Sequence, residues 1–118
     1  FYYRPPNGES WADVALRLRG VFESILVQFG GERVMVVCHQ IVIYCARYVL
    51  EGMTEDELLR TAKEHDVANC SLTTYARTDV RGRGLHGQFA LARFNFTVPI
   101  EEEGATVTAE PPAAERRT

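Results

Sequence analysis

Arg33-Val34-Met35-Val36-Val37-Cys38-His39-Gln40 is the stretch that decides how this chain folds. Its apolar part is continuous, rich in β-branched residues and preceded by the turn signal Gly30-Gly31. Such a run predicts a short strand covered on both faces by helices, and that kind of burial belongs to parallel sheets. The next residues, Ile41 to Leu50, are apolar nearly all round and are closed by Gly52, which predicts a helix buried in the flank of the sheet. His39 therefore stands at the carboxyl end of a buried strand, directly before a helix. In open α/β sheets ligands bind at that edge, because strand ends and helix N-termini leave a crevice there.

Upstream, Trp11, Val14, Ala15, Leu18, Val21, Phe22, Ile25, Leu26 and Phe29 recur in steps of three and four, the signature of one helix face. Ser10 precedes the pattern and Asp13 follows three residues later, an N-cap with a capping-box-like partner. Downstream, Thr54 with Glu55, Asp56 and Glu57 places acidic residues against a helix dipole, and Leu58 and Leu59 supply the apolar side of a short helix to about Glu64. Ser71–Arg77 and Gln88–Phe96 have strand-like content and are joined by the Gly- and Arg-rich stretch Thr78–Gly87, which predicts a hairpin at one edge of the sheet. Beyond Pro99 the composition turns to Glu101-Glu102-Glu103, Pro111-Pro112 and alanines, too little apolar surface to offset the entropy of ordering it. The expectation is an α/β domain portion over residues 1–98 and a disordered or loosely attached tail over residues 99–118. Three helices and three strands are few for a three-layer α/β/α sandwich with a mostly parallel sheet. The chain, which opens on Phe1-Tyr2-Tyr3-Arg4-Pro5-Pro6, reads as part of such a sandwich, incomplete at its N-terminal side.

Composition excludes several classes. With 118 residues, 46% hydrophobic and 25% charged, the chain has the make-up of one small globular domain. The longest apolar stretch, Ile41–Leu50, is interrupted by Arg47 and falls short of the ~20 residues a bilayer span needs. A net charge of −3 argues against nucleic acid or an anionic membrane as partner, and Arg77, Arg81, Arg83 and Arg93 read as a solvated basic loop region. Cys38, Cys45 and Cys70 are odd in number and two lie in apolar segments, which suits reduced thiols of a cytoplasmic protein. No CxxC or Cys/His spacing suggests a metal, and no cofactor is implied.

Taken together, Arg4-Pro5-Pro6-Asn7-Gly8-Glu9-Ser10, the amphipathic helix and Arg33–Gln40 resemble the histidine phosphatase superfamily, also called phosphoglycerate mutase-like, over about Tyr3–Tyr75. The resemblance implies hydrolysis of a phosphoester through a phosphohistidine. The nucleophilic histidine of the family belongs to an Arg-His-Gly motif at the end of its first strand, and two arginines and a second histidine surround the phosphate. His39 matches that second histidine. This chain has no Arg-His-Gly, and the family's general acid belongs to another segment, so Glu9 is not that acid. Leu85-His86-Gly87-Gln88 looks like a damaged version of the motif, but it follows a polar loop and lacks the arginine, so a surface hairpin loop is expected.

The resemblance makes His39 the catalytic candidate, a donor to a phosphoryl oxygen aided by the amides of the helix that opens near Gln40. A half-buried histidine satisfied by a neighbouring carbonyl is the plainer alternative. Gln40 either presents its amide to the substrate or caps its helix, and Glu9 and Ser10 either border the pocket or merely start the first helix. Trp11 and Tyr44 read as core or rim residues, and the bisphosphatase branch of the family carries an arginine where Tyr44 sits. His65 reads as a helix-end residue. The expected function is a fragment of a phosphatase acting on a small phosphomonoester, inactive alone, its nucleophile upstream. The alternatives are a phosphoglycerate mutase-type phosphotransferase and a non-catalytic binding segment of the same fold. The expected partners are the small phosphorylated substrate and, across unpaired strand edges, the missing N-terminal half or a second copy.

Overall fold

A computed structural model of the chain describes residues 1–78 and 85–109, His86 by its backbone alone. Helix α1, Trp11–Gln28, begins where the spacing places it because Ser10 closes a full capping box. The Asp13 amide donates to Ser10 Oγ at 3.1 Å, and the Ser10 amide donates to Asp13 Oδ2 at 2.8 Å. Arg4 adds two bonds to the same carboxylate, at 2.8 and 2.7 Å. These donors, Arg4 first and Ser10 next, hold Asp13 well below the usual carboxylate range.

Helix α2, Gln40–Glu51, ends on Gly52 in the left-handed conformation (φ 66°), as the glycine after the apolar run requires. Helix α3, Glu55–Glu64, has Thr54 as N-cap and a second capping box through Glu57. Strands β1, Leu72–Arg77, and β2, Phe89–Phe96, form the expected hairpin, with Tyr75 opposite Leu91 and Ala76 opposite Ala90. Toward its open end the register slips and β2 carries the extra residues, including Asn95 at φ 55°. Asn95 uses that turned position to bond outside the ladder: Oδ1 accepts from the Ala68 amide at 2.8 Å, and Nδ2 donates to the Asp66 carbonyl at 2.9 Å.

The core lies around α2. Cys45, Val49 and Leu50 pack with Val14, Ala15 and Leu18 of α1, while Tyr44 packs with Leu58 of α3 and with Val67. Arg47 and Glu51 pair at 2.7 Å along the helix. The Tyr75 hydroxyl donates to Glu51 at 2.6 Å and the Arg47 guanidinium lies 4.3 Å from the Phe94 ring centroid, so α2 is tied to both strands. Burial, and then the bond to Glu51, push the Tyr75 hydroxyl far above its ordinary range.

Two expectations meet a different structure. Arg33–Cys38 forms no strand: the described sheet is two-stranded and antiparallel, not a mostly parallel one. A strand is a relation between segments, and among the described residues no backbone hydrogen bond reaches residues 33–38. Their side chains stand in the open, Met35 at 83% and Val37 at 89% exposure. Leu85, expected in a polar surface loop, instead sits in a 3-10 turn, Leu85–Gly87, and is buried against α1 and α2. Around the expected boundary at residue 98, Val98–Glu102 forms a short helix, α4, and Ala109 bridges to Ala68. The Thr108 carbonyl accepts from the Asn69 amide at 2.6 Å. Arg81, Arg83, most of the Thr78–Gly87 connection and residues 110–118 lie outside the described residues.

The Asp13 cap gives a test of the fold. A carboxylate whose folded pKa is depressed stabilises the native state above its unfolded pKa and loses that contribution as pH falls through the folded value. Asp13→Asn should lower the urea midpoint at neutral pH. The gap from the wild type should close as pH drops below about 4, near the unfolded carboxylate pKa. A gap that stays constant with pH would show that the Arg4–Asp13–Ser10 group does not hold the helix start.

Candidate functional site

His39 is the N-cap of α2, in extended conformation (φ −93°, ψ 166°), and its side chain makes no capping bond. Its carbonyl accepts from the Val42 amide at 3.0 Å, so the backbone starts the helix while the imidazole, exposed at the surface, is not consumed in capping. The first turn of α2 carries no acidic residue. The positive end of the helix is therefore not neutralised by its own carboxylates, and a histidine beside it suits an anionic ligand.

His39 and Gln40 line a cavity of about 890 Å³. Its walls come from the apolar face of α1 with Phe22 and Leu26, from Val34 and Val36, from Val42 and Ala46 of α2, and from Tyr75 of β1. Residues 33–38 and β1 thus face one groove without pairing to each other. Gln40 Nε2 donates to the Tyr44 hydroxyl at 3.0 Å, and that hydroxyl donates in turn to the His65 carbonyl. Burial raises the Tyr44 hydroxyl pKa, opposed by the Gln40 bond.

The structure separates the other two candidates from this cavity. Ser10 is buried and serves the capping box. Glu9 makes two bonds to Arg17, at 2.7 and 2.8 Å, beside a shallow depression bordered by Arg4 and Asp13. Neither lines the cavity that holds His39 and Gln40. Tyr44, expected in the core or at the rim, has a buried ring that stacks on Trp11 at 6.1 Å, but its hydroxyl reaches Gln40. The i, i+4 spacing of Gln40 and Tyr44 on one helix was the available signal. Asn95 was missed outright, although an asparagine inside a strand pattern is an anomaly worth pursuing. His65 is the C-cap of α3 and its ring meets Phe94 edge-on at 6.2 Å. Among the described residues no group of three or more His, Cys, Asp or Glu side chains gathers to hold a metal ion, and no helix is long and apolar enough to cross a membrane.

A family model for the histidine phosphatase superfamily (branch 1) matches residues 1–87, and the chain belongs to that superfamily. Among curated proteins it is similar to 6-phosphofructo-2-kinase/fructose-2,6-bisphosphatase 3 of Homo sapiens and of Pongo abelii, each 34% identical over 76 residues. That match covers 64% of this chain and 14% of the relative, so the chain spans only a small part of the proteins it resembles. The Bos taurus protein of the same name is 40% identical over 57 residues, 48% of this chain and 12% of the relative. No solved structure matches the chain.

The thiols around the site differ in environment. Cys45 is fully buried and burial pushes its thiol up to about 11, whereas Cys38 and Cys70 are both exposed, the Cys38 thiol being raised by its partial burial. A maleimide at about pH 8 should label Cys70 in the folded chain and leave Cys45 unmodified until denaturant is added, because the thiolate is the reactive form. Equal labelling of all three in the absence of denaturant would contradict the packing of α2.

Proposed function

We propose that this chain is the part of a histidine phosphatase domain that supplies the phosphate-stabilising histidine, His39, for hydrolysis of a small phosphomonoester. The observation that carries the reading is the exposed His39 imidazole at the N-terminus of α2, whose first turn carries no acidic residue, in a chain of this superfamily. In the proposed reaction a nucleophilic histidine outside this chain attacks phosphorus. The bond to the alcohol oxygen breaks, and the alcohol leaves with a proton from an acid also outside this chain. Water then attacks the phosphohistidine, giving a proton back to that acid's conjugate base, the N–P bond breaks, inorganic phosphate departs, and both the histidine and the acid are restored. His39 and the first amides of α2 would hydrogen-bond equatorial oxygens, whose charge spreads in the transition state. Gln40 would face the alcohol part of the ester. Glu9 and Ser10 would act only by starting α1.

The groove supports a second element of the proposal. Backbone groups of residues 33–38 and the outer edge of β1 border a space in which further strands, spaced about 4.8 Å apart, would complete a sheet. Strands from the remainder of the domain would convert Arg33–Cys38 into the buried central strand of a parallel, three-layer α/β/α sandwich. A second copy would offer a poorer substitute. Three unpaired thiols fit a reducing, cytoplasmic setting.

The gene's full product should release phosphate from a small phosphomonoester, and acid quenching with labelled substrate should trap an acid-labile phosphoprotein. His39→Ala should lower turnover about 100- to 1000-fold, the loss of one preorganised donor. Full activity in that variant would remove His39 from the site, and absence of any phosphate release by the wild type would remove the phosphatase reading. The 118-residue chain alone should self-associate in solution scattering; a stable monomer would contradict the open-groove account.

A further inference from the structure

Tyr44 has one hydroxyl hydrogen, and the structure commits it. The His65 carbonyl can only accept, so the Tyr44 hydroxyl donates there and has only lone pairs left for Gln40. The Gln40 amide must then turn its Nε2 toward Tyr44. In the reversed orientation Oε1 would face a second lone-pair atom at about the same 3.0 Å. The amide orientation is thus set by proton bookkeeping, independent of any ligand.

The group that does the setting is itself held on every side. The Tyr44 ring is 3% exposed, stacks on Trp11 with an interplanar angle of 16°, and packs on Leu58 and Val67. The His65 amide donates to Thr61 at 3.0 Å, closing α3. The residues that follow His65 are clamped by Asn95, through Asp66 and Ala68. Hydrogen bonds and the backbone of residues 65–68 therefore link the irregular end of the hairpin to the residue next to His39.

We propose that Tyr44 is a positioning residue: its hydroxyl, anchored on the His65 carbonyl, fixes the Gln40 side-chain amide in one orientation at the groove beside His39. The consequence for substrate rests on the phosphatase reading above, in which Gln40 faces the alcohol part of the ester. Tyr44 then acts on substrate affinity through Gln40 and leaves phosphoryl transfer, which belongs to His39 and the nucleophile, untouched. A purely structural tyrosine would give no such split, because loss of packing lowers stability without separating KM from kcat.

The test uses the gene's full product with Tyr44→Phe, Gln40→Ala and the double variant, together with nitrogen-15 NMR of the Gln40 side-chain amide. Tyr44→Phe keeps the ring and removes only the hydroxyl. It should move the Gln40 amide proton signals toward free-amide values and raise KM about fivefold, the worth of one neutral hydrogen bond, with kcat within about twofold. The double variant should be no worse than Gln40→Ala. Unchanged amide signals, an unchanged KM, an equal loss in kcat, or additive effects in the double variant would each overturn the proposal. If Tyr44→Phe fails to fold, the wild-type signals decide: a Gln40 amide pair at free-amide positions overturns it, and one shifted, slowly exchanging proton supports it. A wild type that hydrolyses no phosphomonoester would refute the phosphatase reading alone, because the amide signals still report on Tyr44.

Discussion

Burial of one face after another of α2 is the constraint on which the rest of this structure depends. Cys45, Val49, Leu50 and Tyr44 are all at most 3% exposed, and they contact α1, α3 and the hairpin region in turn. Fully burying an aliphatic side chain such as Val49 or Leu50 stabilises by roughly 1.5–3 kcal/mol, whereas the exposed Arg17–Glu9 pair is screened by solvent and adds little. The core therefore decides where α2 lies, and the ion pairs adjust its surroundings. Once α2 is fixed its N-terminus is fixed, and with it His39 and Gln40. The Arg47–Glu51 pair and Tyr75 extend the same control to the hairpin.

The helices and the hairpin were legible because their signals are local. Ser10 with Asp13, Thr54 with Glu57 and Gly52 after an apolar run each act within one turn of their own element, and each lies at the expected boundary. Arg33–Cys38 has the composition of a buried strand, yet strand formation needs partner backbones, and among the described residues none pairs with it. The sequence pattern there describes a requirement that the described residues leave unmet. Leu85 and Asn95 were illegible for a related reason. Their roles depend on segments distant in the chain, α2 for Leu85 and residues 66–68 for Asn95.

The candidate site was partly legible. His39 could be picked out because an apolar run ending in a histidine before a helix is a local pattern, and the structure places it at the N-cap of α2. Glu9 and Ser10 belong to the same recognisable pattern but are committed to Arg17 and to the helix cap. A motif can identify a family while its members serve folding. The reverse holds for Tyr44, whose buried ring concealed a hydroxyl tied to the groove-lining Gln40.

The central claim is that the anion-binding corner of this chain is His39 at the start of α2, and inorganic phosphate probes it without any substrate. Titrating phosphate into the gene's full product while following histidine and amide resonances by NMR should perturb the His39 imidazole and the first amides of α2 in a saturable way. The Arg4 and Arg17 signals near Glu9 should stay still. Saturable shifts at Arg4 and Arg17 with His39 unmoved would contradict the account.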